Sequence, residues 1–423
     1  MFLHIDIDAF FASAECAADP FLAGKPMAVG SRSNLEIFDP HRRKIRLMNE
    51  NSGAFVAPVF YTERRRSFEE YFVDEIGAER KIRGIITSAS YEARACGVKT
   101  AMSVAQALRL CPEMIVIPSN YAYYHRLSRR LHQLIAARIP KVEQYSIDEF
   151  FGDVSGWVCE EESERFARAL QEEIRIRLKL PVSIGIAHSK WIAKLATNAA
   201  KPYGIKRVED TQRYIEQIPI EAFPGIGRGF ERRLRARYIS TLGELSRSKR
   251  LLYSWKKPGI QLYKRVTGMD GEGVSPERTH RQSIGISRTF DPIEDSQEIR
   301  RRIMVMARHI VYMVMEAEEN PTLYTLKIKY AHGMRAKSTR KIHRLFSESL
   351  YKRTLDEMFV STHIEGEGAV KLSLSVSGFV SWRLRTLSLL DIHRDHKHRF
   401  LTYAIHRLRQ KFGLDILKTA NEL

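Results

Sequence analysis

Two apolar, strand-like runs that end in carboxylates constrain this chain more than any other feature. The first is His4–Phe11, which contains Asp6, and the second is Ser146–Phe150, which contains Asp148 and Glu149 about 140 residues later. If the fold pairs these strands, the three carboxylates converge at one edge of a buried sheet. Close carboxylates repel each other and are neutralised by protonation unless a cation joins them. The pattern therefore predicts a Mg²⁺ or Mn²⁺ site, of the two-ion kind used for displacement at phosphorus.

Each half of this pattern also has an ordinary structural explanation. An Asp-x-Asp after an apolar run is often a helix start, and Asp8 could simply cap a helix that begins at Ala9. Adjacent Asp-Glu pairs are usually solvated, although apolar and aromatic residues surround this one. Because successive side chains of a strand face opposite ways, Asp148 and Glu149 could share an ion only near a strand end or a tight turn.

Composition places the chain among multidomain proteins of a reducing compartment. Its 423 residues leave room for roughly three or four domains, and no apolar run approaches the ~20 residues that a membrane span needs. The N-terminus enters a strand directly, without a secretory leader. The four cysteines are scattered without a Cys-x-x-Cys pair, which argues against structural zinc. We therefore expect a cytoplasmic protein with no membrane partner.

Positive charge is concentrated in the second half of the chain. Residues 1–223 carry 31 Lys and Arg against 29 Asp and Glu, whereas residues 224–423 carry 38 against 21. Mere solubility does not predict such asymmetry. It indicates a polyanionic partner, most commonly nucleic acid.

Hydrophobic periodicity predicts a β-α-β-β-α-β series around the carboxylates. The strands are expected at 2–7, in a hairpin over 142–154, and at 182–187, with helices at 121–138 and 160–178. This order predicts an α+β sheet with helices on one face.

A second small α+β domain is predicted after a composition break at Pro219. A helical pattern resumes after Pro224–Gly227, and a linker is expected at 276–282. The elements of the second domain are expected as strands at 283–290, 323–330 and 370–376 and helices at 300–315 and 400–412.

Several short segments, in this order along nearly the whole chain, resemble the Y-family translesion DNA polymerases, nearest the bacterial DNA polymerase IV-like and SOS-mutagenesis branches. They are His4–Phe11, Ser90–Val98, Tyr145–Glu149, Ser183–Ala187 with Ala193–Ala196, Lys201–Gly204 and Pro224–Gly227. The resemblance implies a multidomain α+β right-hand polymerase. Its domains would be a ferredoxin-like palm (1–10 and 117–210), small fingers (11–116), a helix-hairpin-helix thumb (211–275), the linker, a little finger (283–412) and a tail (413–423).

The resemblance implies the activity of a DNA-directed DNA polymerase, a nucleotidyltransferase that adds dNTPs to a primer 3′-hydroxyl. Synthesis would be of low fidelity, without proofreading, and would bypass damaged template bases during DNA repair and the SOS response. The partners implied are primer–template DNA and a dNTP. We expect a monomer that associates with the nucleoid.

The site residues follow by position from the same resemblance. Asp6, Asp148 and Glu149 would be catalytic and would hold two Mg²⁺ ions, for which Mn²⁺ can substitute, together with the backbone carbonyl of Ile7. The nucleotide would be contacted by the following residues: Phe10, Phe11 as a steric gate against the ribose 2′-hydroxyl, Ser88, Tyr91, Arg94 and Lys201. In the structural alternative, Tyr91 is a core residue and Arg94 a surface residue.

Two groups of residues would contact DNA. The Pro224, Gly225 and Gly227 turn would bring backbone N–H groups to a phosphate without regard to base sequence. The basic residues of the last domain would follow the duplex backbone: Lys327, Lys329, Arg335, Lys337, Arg340 and Lys341.

The chain departs from the family pattern in two places. About 50 residues, 33–83, intervene where the family has a short loop, and Thr386–Leu390 only partly matches a sliding-clamp-binding sequence. A non-catalytic DNA-binding scaffold and a nucleotidyl cyclase are the rival interpretations. The scaffold would lack the carboxylates, and the cyclase would have no use for the thumb turn and the basic half. A primer-extension assay separates all three.

Overall fold

The computed structural model describes residues 1–39, 67–76, 79–276, 281–380 and 390–423, with four short strands between residues 46 and 61. The strands in chain order are β1 (Phe2–Ile7), β2 (Met27–Ser31), β3 (Arg46–Met48), β4 (Asn51–Ser52), β5 (Phe55–Val56), β6 (Val59–Tyr61), β7 (Val73–Ile76), β8 (Glu79–Ile82), β9 (Ile85–Ala89), β10 (Ile115–Pro118), β11 (Lys141–Gln144), β12 (Glu149–Asp153), β13 (Val182–Ala187), β14 (Ile205–Arg207), β15 (Ser283–Ile293), β16 (Pro321–Tyr330), β17 (Arg335–Lys341) and β18 (Ala369–Phe379).

The α-helices in chain order are α1 (Phe10–Ala18), α2 (Phe68–Phe72), α3 (Tyr91–Ala95), α4 (Val104–Leu110), α5 (Tyr121–Ala136), α6 (Ser163–Leu178), α7 (Lys190–Ala200), α8 (Thr211–Ile215), α9 (Arg228–Arg235), α10 (Leu242–Arg247), α11 (Lys249–Ser254), α12 (Lys256–Val266), α13 (Ser296–Glu316), α14 (Glu348–Val360) and α15 (Ile392–Phe412). Within the described parts of the chain, no helix is both long enough and apolar enough to cross a membrane.

The described residues divide into two compact units. The first lies within residues 1–31, 50–57 and 66–279, and the second within 32–49, 58–65 and 280–423. Most of the predicted linker, at 277–280, falls outside the described residues.

A five-stranded sheet in the order β11-β12-β1-β13-β14 forms the centre of the first unit. Its neighbours are antiparallel except for the parallel pair β13 and β14. The predicted β-α-β-β-α-β series is present as β1, α5, β11, β12, α6 and β13. The periodicity of the sequence therefore identified these elements correctly.

Helices cover both faces of this sheet, so the prediction of helices on one face was wrong. Leu3, Ile5 and Ile7 of β1 face the core shared with α5 and α6. The opposite face of β13 lies against α7, where a Cβ added to Gly185 would come within 2.0 Å of the Ala193 carbonyl oxygen. All six residues of β13 are buried, and a strand buried on both sides needs cover on both sides.

A smaller sheet, in the order β10-β2-β9, carries α3 and α4 in the first unit. The helix α2 lies beside this sheet and begins with a capping box between Ser67 and Glu70. Its last residue, Phe72, is fully buried in the core of this sheet. Gly30 leaves the space for that ring, because a Cβ there would lie 2.7 Å from it.

The second unit is built on a four-stranded antiparallel sheet in the order β15-β18-β16-β17. One face packs on α13 and α14, and the other is polar. β17 and α14 were not predicted. The β17 sequence, Arg335–Lys341, consists of Lys and Arg together with Ala, Ser and Thr, so it lacks the alternating large apolar residues on which strand prediction depends.

Residues 32–39 belong to the second unit, although the predicted fingers domain included them. Ile37 and Phe38 are buried in the core formed by β15 and α13. The Arg301 guanidinium donates to the Phe38 carbonyl oxygen at 3.0 Å, and the Arg302 guanidinium lies 4.7 Å from the centre of the Phe38 ring. The segment where the predicted insertion begins is thus held by apolar burial and by two arginines.

Candidate active site

The structure brings Asp6, Asp148 and Glu149 to one edge of the five-stranded sheet. Asp6 lies directly opposite Glu149 in the antiparallel register of β1 and β12, so both side chains share a face. Asp148 immediately precedes β12, and its carbonyl oxygen accepts from the Ile7 N–H at 3.0 Å. Asp148 therefore lies at a strand end, where it and the next residue, Glu149, can both reach one ion.

Burial and mutual repulsion raise the pKa values of two of these carboxylates. The pKa of Asp6 rises to about 7, chiefly because the group is buried and further because of the Asp148 and Glu149 charges. Burial and the Glu149 charge also raise the pKa of Asp148. Oxygen donors that repel each other in a buried place fit a hard divalent cation, because it would replace that repulsion with attraction.

Lysine side chains balance this negative charge in the structure. Lys201 Nζ lies 2.6 Å from Asp6 Oδ1, and the Lys194 ammonium of α7 contacts Glu149. The sequence analysis did not name Lys194 as a site residue. A signal was available, since Lys190, Lys194 and Lys201 are spaced by four and seven residues, as on one face of a helix.

His4 is a neutral neighbour of these charges. Its Nδ1 atom lies 2.9 Å from Thr197 Oγ1, and its ring is fully buried. Burial lowers the pKa of His4 well below its ordinary value, and the nearby charges of Lys194 and Lys201 lower it further. His4 therefore adds no positive charge at neutral pH.

Asp8 is not the helix cap that the sequence suggested. α1 begins at Phe10, and its cap residue, Ala9, has left-handed backbone angles without a side-chain cap. The Asp8 carboxylate instead accepts from the Tyr203 N–H at 2.7 Å and from Ser183 Oγ at 2.9 Å. These bonds fix the turn after Lys201 against β13 and so hold Lys201 near Asp6.

Tyr91 and Arg94 lie together on α3, as their spacing predicts. The Arg94 guanidinium lies 4.9 Å from the Tyr91 ring centre, and Arg94 Nε donates to the Ala89 carbonyl oxygen at 3.0 Å. Burial and then the Asp8 charge raise the pKa of Tyr91 to about 12. Tyr91 is only partly buried and Arg94 is exposed, whereas Ser88 on β9 is buried.

The two phenylalanines that follow β1 have different surroundings. Phe10 is only 3% exposed and belongs to the core of the five-stranded sheet, so its ring has no open face for a nucleotide. Phe11 is partly buried and stacks on Tyr124, with ring centres 4.5 Å apart. The edge of Tyr121 supports the Phe11 ring at 5.6 Å. Two tyrosines thus hold Phe11 in one orientation.

The turn from Pro224 to Gly227 precedes α9. Gly225 has a φ of 100°, which only glycine adopts without strain, and Gly227 is the cap residue of α9. Apart from the adjoining residues of the chain, nothing lies within 4 Å of a Cβ added at Gly225 or Gly227, so both backbones are open to a partner. The element before the turn is a short 3₁₀ helix, Ile220–Ala222, rather than a longer α-helix.

The polar face of the four-stranded sheet gathers cations that sequence alone could not place together. Lys327 pairs with Lys337, and Lys329 lies between Arg335 and Lys371. We call this outward set the cationic face: Lys327, Lys329, Arg335, Lys337, Lys341 and Lys371. Like charges directly opposite each other destabilise a sheet, so this arrangement favours an anionic partner.

The cationic face differs from the predicted set of DNA contacts in two residues. Lys371 was missed, although it lies in a predicted strand. Arg340 pairs with Tyr324 on the opposite face of the sheet, where its Nη1 lies 2.7 Å from Glu357 Oε2. In the ladder rows that join residues 323–329 of β16 to β17 and β18, the other outward side chains contain no carboxylate: Leu323, Thr325, Thr339, Ser373, Ser375 and Ser377.

Comparison with known proteins connects this arrangement with a family. Residues 5–198 match the model of the impB/mucB/samB family, a range that includes all three carboxylates. A protein called DNA polymerase IV from Bacillus anthracis is 26% identical over 433 aligned positions, which cover 100% of this chain and 93% of that protein. DNA polymerase IV 1 from Halalkalibacterium halodurans is 31% identical over 321 positions, covering 74% of this chain and 66% of that protein.

A solved structure has a similar fold over most of the chain. A Y-family DNA polymerase chimera of Dbh and Dpo4 superposes with a TM-score of 0.68 at 22% identity, covering 90% of this chain and 99% of the chimera. The predicted multidomain α+β polymerase architecture is confirmed by this likeness.

Proposed function

Because this chain belongs to the Y family of DNA polymerases, we propose that it extends a primer 3′-hydroxyl with dNTPs by two-metal nucleotidyl transfer and bypasses damaged template bases. Membership of the family makes it a DNA-directed DNA polymerase and implies dependence on a divalent metal. The observation that carries the proposal is the pairing of Asp6 with Glu149 beside Asp148, at the edge where burial and repulsion call for a cation.

We propose that the side chains of Asp6, Asp148 and Glu149 and the carbonyl of Ile7 hold two Mg²⁺ ions, for which Mn²⁺ can substitute. When bound, such ions supply Lewis-acid activation of the hydroxyl and neutralise charge at the α-phosphate. The Lys201 ammonium, which lies on Asp6 in this structure, is then available to the triphosphate. Asp8 acts as a positioning residue, because its bond to the Tyr203 N–H fixes the turn that carries Lys201.

The other nucleotide contacts follow from α3 and α1. We propose that Tyr91 and Arg94 grip the β- and γ-phosphates, since the exposed guanidinium lies beside the tyrosine ring. The stacked ring of Phe11 excludes a ribose 2′-hydroxyl, and Phe10 supports it from the core. Ser88 is a lesser hydroxyl contact.

Two surfaces are proposed to hold primer–template DNA. The cationic face binds the duplex backbone through its six lysines and arginines, and this binding is independent of base sequence. The open backbone at Gly225 and Gly227 presents N–H groups to one phosphate. A nucleotidyl cyclase has no use for either surface, which favours the polymerase over that rival.

A sliding-clamp contact, a monomeric state and association with the nucleoid in the cytoplasm stay proposals. Residues 386–389 of the clamp-like sequence lie outside the described residues, and the side chain of Leu390 is 97% exposed. A pull-down with purified sliding clamp, comparing the wild type with Leu390→Ala, tests the first of these.

Single-nucleotide primer extension tests the proposed function. Asp148→Asn is expected to abolish dNTP incorporation while leaving primer–template affinity largely intact, because the cationic face lies in the other unit. Asp153→Asn, at the far end of β12, is the matched control and is expected to keep the wild-type rate. Extension by Asp148→Asn at even a few per cent of the wild-type rate contradicts the assignment.

A further inference from the structure

A group of three potential metal ligands, two thiols and one carboxylate, lies outside the proposed active site. The ligand atoms of Cys96, Cys111 and Glu113 all lie within 4.8 Å of one another. Cys96 ends α3 and Cys111 ends α4, so the group joins the C-terminal ends of two helices. Cys111 Sγ already donates to Glu113 Oε1 at 3.6 Å.

We propose that Cys96, Cys111 and Glu113 form a binding site for a thiophilic divalent cation, with Zn²⁺ as the ion of best fit. Two thiolates and a carboxylate, with water as the fourth ligand, are a tetrahedral set that zinc accepts. Zinc–sulfur and zinc–oxygen bonds of about 2.3 and 2.0 Å place neighbouring ligand atoms about 3.5–3.8 Å apart. The Cys111–Glu113 pair has that spacing. The other pairs lie within 4.8 Å, so they need to close by at most about 1 Å.

The surroundings of the group suit an ion that enters from solvent. Cys111 is 1% exposed, while Cys96 is partly buried and Glu113 is exposed, so the site has one deep ligand and an open side. Burial, followed by the neighbouring Cys96, raises the pKa of the Cys111 thiol to about 12. A coordinated thiol gives up its proton, so binding should release protons to the buffer.

The sequence argued against zinc because no Cys-x-x-Cys pair is present. The two thiols are 15 positions apart and meet only because α3 and α4 pack on the same small sheet. A disulfide is the competing use of two neighbouring thiols. It needs an oxidant and has no part for Glu113, whereas the Cys111–Glu113 contact gives the carboxylate a place in a metal site.

A bound ion would also stiffen the helix that carries Tyr91 and Arg94. The N–H of Cys96 donates to the Arg94 carbonyl oxygen, so an ion at Cys96 anchors the C-terminal end of α3 beside Arg94. This consequence rests on the proposed function, because it matters only if Arg94 grips a nucleotide. The metal site itself does not depend on it.

Titration of the reduced, chelator-treated full chain with Co²⁺ tests the site. We expect one equivalent to produce a thiolate-to-cobalt charge-transfer absorption, which added Zn²⁺ removes. Oxygen ligands at Asp6 and Asp148 give no such band. Cys96→Ser should lose tight binding, and Glu113→Gln should keep the band but bind more weakly. Cys159→Ser, at an exposed cysteine elsewhere in the chain, should behave as wild type.

Several outcomes overturn the proposal. They are the absence of a thiolate band in the wild type, a band that persists unchanged in Cys96→Ser with the wild-type melting temperature, and conversion of Cys96 and Cys111 to a disulfide by glutathione disulfide without metal uptake. Cys96→Ser carries the test because its partly buried side chain is safer to replace than Cys111.

Nucleotide kinetics separate this site from the proposed function. With Mg²⁺ constant, a Zn²⁺-dependent decrease in KM for dNTP that Cys96→Ser abolishes supports the link to Arg94. If the thiolate band is present but no polymerase activity is found under any condition, the metal site stands and the proposed function fails.

Discussion

Replacing three lysines of the cationic face should reduce the salt dependence of DNA binding by a calculable amount. Each phosphate neutralised by a lysine contributes about −0.9 to the slope of log affinity against log salt. Lys329, Lys337 and Lys371 lie in adjacent ladder positions, with side chains on one face of the sheet. Their joint change to Gln should make the slope shallower by about 2.7. Over a fourfold rise in salt, the wild type should lose about 40-fold more affinity than the variant.

Fluorescence anisotropy with a labelled primer–template, measured over a series of KCl concentrations, gives both slopes. The matched control is Arg340→Gln. This residue lies one position from the cationic Lys341, but its side chain is on the opposite face, where it pairs with Glu357. An exposed ion pair of this kind contributes only about 0–1 kcal/mol to stability, so the control variant should stay folded. Because the Arg340 side chain points away from the cationic face, this variant should also keep the wild-type slope.

The melting temperature shows whether a change in slope reflects lost contacts or lost structure. In the wild type, Lys329 lies opposite the like charges of Arg335 and Lys371. Replacing it with Gln removes this repulsion, so the triple variant should melt no lower than the wild type. An unchanged slope in the triple variant, or an equal change in Arg340→Gln, would show that the phosphate contacts lie elsewhere.

Three further predictions concern the aromatic residues and the carboxylates. Phe11→Ala should raise CTP insertion by orders of magnitude and spare dCTP insertion, and a parallel loss of both insertions refutes the gate. Phe10→Ala should instead lower the melting temperature, because truncating a buried Phe costs about 3–5 kcal/mol of stability. Phe38→Ala should destabilise the second unit to denaturant by a similar amount. The control Phe400→Ala, at a ring that is 78% exposed, should have little effect. Equal denaturation midpoints for the two variants would mean that residues 32–39 are not part of that core. Because burial raises the folded-state pKa of Asp6 to about 7, above that of the unfolded chain, the metal-free protein should lose stability as the pH rises from about 4 to 7. Mg²⁺ should restore stability at pH 7, and Asp6→Asn should flatten the pH profile; a wild-type melting temperature that is constant over this range would contradict the raised pKa.

The sequence by itself determined the elements that carry a strong periodic signal. β1 and β13 are buried along nearly their whole length, and α5 begins after the capping residue Asn120, so local patterning specified the bounds of these elements within two residues. The two carboxylate motifs also predicted the convergence at one sheet edge, since strands of a single sheet bring their ends together. β17 was not predicted because its residues are all polar or small, and a strand on a binding surface need not be apolar.

Only the tertiary structure decided which side chains meet and which face each one takes. Arg340 and Lys341 are neighbours in sequence, but the register of β17 sends them to opposite faces of the sheet. Asp8 lies beside the catalytic candidates, yet its partners are Ser183 and Tyr203, which are 175 and 195 residues away in the sequence. Cys96 and Cys111 likewise become neighbours through helix packing. Contacts between distant residues are set by the burial of whole elements, so no local pattern in the sequence could assign them.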